Sequence, residues 1–287
     1  MFNIPNLFTA SNMLCGIIAI LLSVSGRIDL APFAIYLGAI LDFFDGFLAR
    51  KLNQQGELGK QMDSLADMIT FGVAPGIMML VLMSYFTMLN IGEEVPFQED
   101  VYWRQFLMDT GGLIKFHSRV ALGFVAWYNL LFEFKLSFIQ FIFPLIALLI
   151  PFFSIFRLAK FNIDTRQSDS FIGLNTPANT IFFTSFPLIL SYYSYNHYHN
   201  SFLLFLKNPY IIAVFIVIMS LMLVSEIPFF SFKFKHFKWK GNELRFLFLI
   251  TCGILIPTIL VWSIPIIILL YILLSVVENL FIKKQTI

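Results

Sequence analysis

Residues 42–67 read DFFDGFLARKLNQQGELGKQMDSLAD. The stretch is a polar link between two long apolar runs, and it carries Asp42, Asp45, Asp63 and Asp67 at the ends of those runs. Asp42 and Asp45 stand at i, i+3 near the end of one predicted helix (29–50); Asp63 and Asp67 stand at i, i+4 at the start of the next (63–87). Each spacing puts its pair on one helix face. The short polar loop, Lys51 to Met62, joins the helices antiparallel, so the four carboxylates can converge at one end of a helical hairpin. An aspartate at the centre of a membrane helix costs roughly 2.5–3.5 kcal/mol. Four would cost on the order of 10 kcal/mol, as much as a whole folding stability, so something must compensate. Solvation at the helix ends is one compensation, and salt bridges to Arg50, Lys51 and Lys60 are another. The third is a hard divalent cation: an all-carboxylate donor set suits Mg²⁺ or Mn²⁺ over a soft metal, and four carboxylates suffice for two such ions. Gly46, Ala49 and Gly59 beside the acids admit close approach of a ligand, and Arg50 adds a fixed cation for a phosphate.

Outward from this hairpin the chain stays apolar. Of 287 residues, 59% are hydrophobic and 13% charged, about half the charged content of a soluble domain. The expected fold is all-α: one membrane-embedded catalytic domain over 1–287, a polytopic bundle with eight spans near 7–25, 29–50, 63–87, 136–162, 175–195, 209–226, 244–262 and 264–282. The last two part at Trp262-Ser263-Ile264-Pro265, a tight turn. The N-terminus lacks a basic n-region and a small-residue cleavage site, so the first run is expected to stay as a helix. Cys15 and Cys252 fall in apolar runs without metal-ligand spacing and read as small buried hydrophobes. Thirteen of the nineteen Lys and Arg residues fall in the aspartate loop, the loops after spans four and six, and the C-terminal tail. The positive-inside rule therefore places the aspartates and both termini on the cytoplasmic side of the cytoplasmic membrane. Segment 88–135 is the one long non-cytoplasmic excursion; within it 120–132 is too short to span and reads as an interfacial or re-entrant helix. Segment 227–245 is a basic cytoplasmic loop in which Lys233, Lys235, Lys238 and Lys240 alternate with aromatics, a pattern that anchors on anionic membrane lipids. A net charge of +2 gives no electrostatic case for nucleic acid.

Written out, the aspartate stretch is D-x2-D-G-x2-A-R-x8-G-x3-D-x3-D, from Asp42 to Asp67. It resembles the signature of the CDP-alcohol phosphatidyltransferases, with every signature position filled. The resemblance implies a helical membrane enzyme, usually a homodimer, with a divalent-metal site that binds a CDP headgroup. By position Asp42, Asp45 and Asp63 are then metal ligands, Asp67 completes the site and matches the family's general base, and Gly46, Ala49, Arg50 and Gly59 line the CDP pocket with the aspartates. IPNLFTASNMLCGIIAI (4–20), FRLAKFNID (156–164) and FIGLNTPANT (171–180) are similar to the bacterial-type serine branch of the family, with Asn175 where a proline is common. CDP-diacylglycerol and L-serine are the implied substrates.

Serine brings a carboxylate, so its pocket needs a cation. Arg157 and Lys160 are the candidates, with Asn162, Asn175 and Thr176 as polar neighbours. Topological anchoring is the competing role for the two cations, and helix capping for the three polar residues. Three other functions stay open at this stage: a sister transferase with glycerol 3-phosphate, inositol phosphate or choline as acceptor, the same serine chemistry on an archaeal-type lipid donor, and a cation transporter. The last fits poorly with acids gathered near one face and no internal repeat.

Overall fold

The structure, a computed structural model, describes residues 3–91, 112–133, 135–164, 170–195, 205–230, 239 and 242–285. Helix α1 (Ile4–Val24) starts where Asn3 accepts a hydrogen bond from the Asn6 amide at 3.0 Å, with Pro5 in the first turn. It closes at Gly26, whose φ of +81° suits a residue without a Cβ. Helix α2 (Ala31–Lys51) returns antiparallel and ends with Arg50 and Lys51 in its last turn, where cations complement the helix dipole. Among the described elements, the α1–α2 hairpin is the most extensively packed pair.

After the polar loop, α3 (Glu57–Asp67) runs without a break into a π-helical segment, Met68–Val73, and then into α4 (Ala74–Ile91). The most apolar part of Glu57–Met88 is 61% buried, against 22–33% in the other long apolar stretches, so this helix is the axis of the bundle. Helix α5 (Gly112–Phe132) lies along α4. It contains the short apolar segment expected at 120–132 but starts earlier, and a side chain at Gly123 would meet Tyr85 at 2.8 Å. Helix α6 (Phe138–Leu145) passes through one 3₁₀ turn into α7 (Leu149–Ile163). Then come α8 (Thr176–Tyr195), α9 (Pro209–Val224), α10 (Glu243–Ile259) and α11 (Ser263–Gln285). The turn expected at Trp262 is present: Leu260 has a φ of +47°, and Trp262 Nε1 donates to Tyr193 Oη at 2.9 Å. One small antiparallel ribbon, β1 (Ser170–Ile172) with β2 (Pro228–Phe230), interrupts the helical architecture.

A helix occupies each of the eight expected positions, but length and hydropathy qualify five stretches as spans, one of them the combined α10–α11 stretch, Glu243–Leu280. Pro209–Val224 is apolar but shorter. Helix α8 is more polar because it sits inside the bundle: Asn179, Thr180, Thr184 and Ser185 are all fully buried. Thr180 Oγ1 donates to the Phe71 carbonyl at 2.6 Å, and the Thr184 and Tyr36 hydroxyls are 2.8 Å apart. Around these polar ties packs a core that includes Ile35, Phe71, Met78, Leu82, Phe182 and Phe183. Leu21, Phe43, Phe152 and Ile254 point outward, as a lipid-facing surface requires. Arg104, Arg166 and the Lys233, Lys235, Lys238 and Lys240 series lie outside the described residues. Within the basic loop, Trp239 stacks on Phe246 with centroids 5.4 Å apart.

Candidate active site

The antiparallel turn between α2 and α3 brings carboxylates from both helices to one place. Asp42, Asp63 and Asp67 each offer an oxygen, and those oxygens all lie within 4.8 Å of one another. Asp45 stands beside this trio and is held from α1, where Thr9 Oγ1 donates to its Oδ2 at 2.6 Å. It is also the most buried of the four, at 6% exposure. The salt-bridge compensation does not operate here: among the described residues none of the four aspartates is paired with Arg50, Lys51, Lys60 or any other cation. Arg50 instead extends over Gly46, where a Cβ would lie 3.7 Å from its Nη1. Lys60 turns away and donates to the Asn162 carbonyl at 2.9 Å.

Three half-buried carboxylates held this close repel one another unless a cation or shared protons intervene. The donor set is all oxygen, so it fits a hard divalent ion such as Mg²⁺ or Mn²⁺, with coordination positions left for substrate phosphates.

Helix α1 supplies a wall of the site that the sequence reading missed. Asn6, Thr9 and Asn12 are buried polar residues in a largely apolar helix. The Asn6 Oδ1 lies 3.4 Å from where a Cβ on Gly59 would be, so this signature glycine is the floor beside Asn6. Asn12 Nδ2 lies 3.5 Å from Asp42 Oδ1 and 3.4 Å from Asp67 Oδ1. The available signal was their spacing: three polar residues three apart share a helix face, and a membrane helix seldom buries such a stripe without a partner.

The serine-pocket candidates separate into different roles. Arg157 is buried; its Nε donates to the Leu174 carbonyl at 3.0 Å, and its guanidinium lies 5.4 Å from the centre of the Phe161 ring. Its Nη1 has no hydrogen-bond partner among the described residues. Lys160 is already ion-paired with Glu226. Asn162 Nδ2 donates to Ser64 Oγ at 2.8 Å, which ties the end of α7 to α3 next to Asp63. Asn175 caps α8 by accepting from the Ala178 amide at 3.1 Å, and the Thr176 carbonyl accepts from Thr180 Oγ1 at 2.9 Å within the same helix.

Residues 2–110, which contain the whole aspartate site and its α1 wall, match the family described as CDP-alcohol phosphatidyltransferase. A CDP-diacylglycerol–serine O-phosphatidyltransferase of Bacillus subtilis is 30% identical over 240 residues, covering 84% of this chain and 94% of that protein. One of the same name from Helicobacter pylori strain 26695 is 29% identical over 241 residues, covering 82% and 74%. An archaetidylserine synthase of Methanothermobacter thermautotrophicus is 38% identical over 90 residues, 31% of this chain and 39% of that protein. A likeness that runs through nearly the full length of the Bacillus protein extends well beyond the signature, and the chain belongs to the CDP-alcohol phosphatidyltransferase family.

Proposed function

We propose that the chain is a CDP-diacylglycerol–serine O-phosphatidyltransferase that works from a divalent-metal site on Asp42, Asp63 and Asp67, with Asp45 alongside. The observation that carries the site is the convergence of unpaired carboxylates from α2 and α3 within 4.8 Å. The acceptor follows from the relatives, which are serine enzymes over most of this chain's length.

The residues divide the work as follows. Asp42 and Asp63 would hold Mg²⁺ or Mn²⁺, and Thr9 keeps Asp45 turned toward the same end of the hairpin. When bound, the metal supplies charge neutralisation for the diphosphate and for CMP as it departs. Arg50, over Gly46, faces the CDP group. The serine hydroxyl attacks the phosphorus that carries the diacylglycerol, in line with the bond to CMP. A new P–O bond to serine forms, the P–O bond to CMP breaks, and the hydroxyl proton passes to Asp67. Proton removal of this kind is typically worth about 10²–10⁴-fold. Arg157 is the cation for the serine carboxylate, because its Nη1 still has a donor to give; Lys160 is a poorer candidate because Glu226 already holds it. The excess of basic residues at the aspartate end supports a site on the cytoplasmic side, and the family resemblance supports a homodimer.

Purified full-length protein incubated with CDP-diacylglycerol and labelled L-serine should yield labelled phosphatidylserine and one CMP per lipid. CMP release that depends on glycerol 3-phosphate, inositol phosphate or choline, and not on serine, would overturn the acceptor assignment.

A further inference from the structure

Asn12 is fully buried, yet its side chain is only half satisfied. The amide nitrogen reaches one carboxylate on α2 and one on α3, at 3.5 and 3.4 Å. The amide oxygen has no hydrogen-bond partner among the described residues and lies against α2 at Gly38, where a Cβ would stand 2.9 Å from it. The orientation is forced by charge: turned over, the amide would aim its oxygen at two carboxylate oxygens. The backbone around Asn12 is also fixed. Its carbonyl accepts from Thr70 Oγ1 at 2.9 Å, three residues past Asp67, and a Cβ on Gly16 would meet that same Thr70 hydroxyl at 2.6 Å. Helices α1 and α2 and the π-helical segment thus close on one point, and the group placed there is a neutral donor. A lysine or arginine at this position would neutralise the acids and compete with a metal ion. A neutral amide can hold two carboxylates without replacing their counter-ion.

We propose that Asn12 is a positioning residue: its amide holds one oxygen of Asp42 and one of Asp67, so that the remaining oxygens face the metal ion and the acceptor hydroxyl. This rests on reading Asp42, Asp63 and Asp67 as a divalent-metal site. Groups that orient metal ligands from behind commonly change affinity or activity by 10–100-fold when removed.

The test uses the full chain in detergent with three variants: Asn12→Leu, Asn12→Asp and Asp42→Asn. Mn²⁺ binding is titrated directly from the free-ion electron paramagnetic resonance signal, alongside kcat, both KM values and the thermal midpoint. Asn12→Leu is expected to weaken Mn²⁺ binding about tenfold or more. At saturating Mn²⁺ it should lower kcat by at least about tenfold while the serine KM moves less than about twofold. A lower thermal midpoint with Mn²⁺ affinity and kcat per folded molecule unchanged would make Asn12 a packing residue and overturn the proposal. Asn12→Asp keeps the shape and removes the donor, so it decides the matter even where the leucine variant does not fold: kcat lost while Mn²⁺ still binds supports the proposal, and kcat retained overturns it. Asp42→Asn tests the metal reading separately. Mn²⁺ binding unchanged in that variant would sink the metal site itself, whereas binding lost there, with both Mn²⁺ affinity and kcat intact in the two Asn12 variants, would remove only the role given to Asn12.

Discussion

The two ends of the α1–α2 hairpin treat buried carboxylates in opposite ways. At the far end, in the turn between the helices, Asp29 is fully provided for. Arg27 donates to both its oxygens, at 3.1 and 3.2 Å, and His117 Nε2 from α5 lies 3.3 Å from Oδ2. At the other end, Asp45, Asp42 and Asp67 have neutral partners in Thr9 and Asn12, and none of the four aspartates is paired with a cation among the described residues. Among the described residues, one acid is paired with two bases and four acids have none. Structural carboxylates are paired with side chains, and a site meant for a mobile cation cannot be, because an internal cation would occupy the ion's place. The difference supports the proposal that the chemistry belongs to the aspartate end.

If this contrast is right, chelation should have the largest effect. EDTA should abolish turnover, Mg²⁺ or Mn²⁺ should restore it, and the thermal midpoint should rise with added metal in the parent and in Asp29→Asn but not in Asp42→Asn. Full activity in metal-free buffer would erase the distinction between the two ends. Next in size, Asp67→Asn should lower turnover at least about a hundredfold while CDP-lipid binding changes less. Near-parental turnover would mean that another group takes the proton. Arg157→Ala should raise the serine KM on the order of tenfold, the scale of one hydrogen bond to a charged group, and raise the CDP-diacylglycerol KM less. If neither KM moves, Arg157 only fastens α7 to the Leu174 carbonyl. The smallest effects on activity belong to the far end. Gly26→Ala forces a side chain into a left-handed φ and toward the His117 carbonyl at 2.6 Å. It should cost about 1–2 kcal/mol and a few degrees of thermal midpoint, with kcat unchanged. A matching loss of kcat would show that the two ends are coupled.

The aspartate hairpin was legible because its information is local. Two spacings on two helices and a short loop fix where Asp42, Asp63 and Asp67 meet, whatever the rest of the bundle does. Helix positions were legible for the same reason, since long apolar runs of this length have few alternatives in a bilayer. Asn6, Thr9 and Asn12 were not, because their role depends on which face of α1 turns toward α2, a tertiary fact. The serine-pocket candidates were legible only as polar or basic residues with two roles open. Asn175 and Thr176 drew attention as polar residues in an apolar context, and the structure uses Asn175 to begin α8. The start of α5 at Gly112 had no hydropathy signal, because Lys115, His117 and Arg119 break the apolar run there.

The π-helical segment at Met68–Val73 acts as a phase adjuster. An α-helix advances 100° per residue, so a wide turn that takes up one extra residue rotates everything after it relative to everything before. Asp63 and Asp67 can therefore face the site while Met78 and Leu82 on the continuing helix face the core, each group on the side it needs. Removing one residue between Met68 and Val73 would leave the composition and hydropathy of this span almost untouched. It would nonetheless turn either the acids away from the proposed metal site or the methionines and leucines toward lipid, so a length change of one residue here would be felt at both ends of the helix at once.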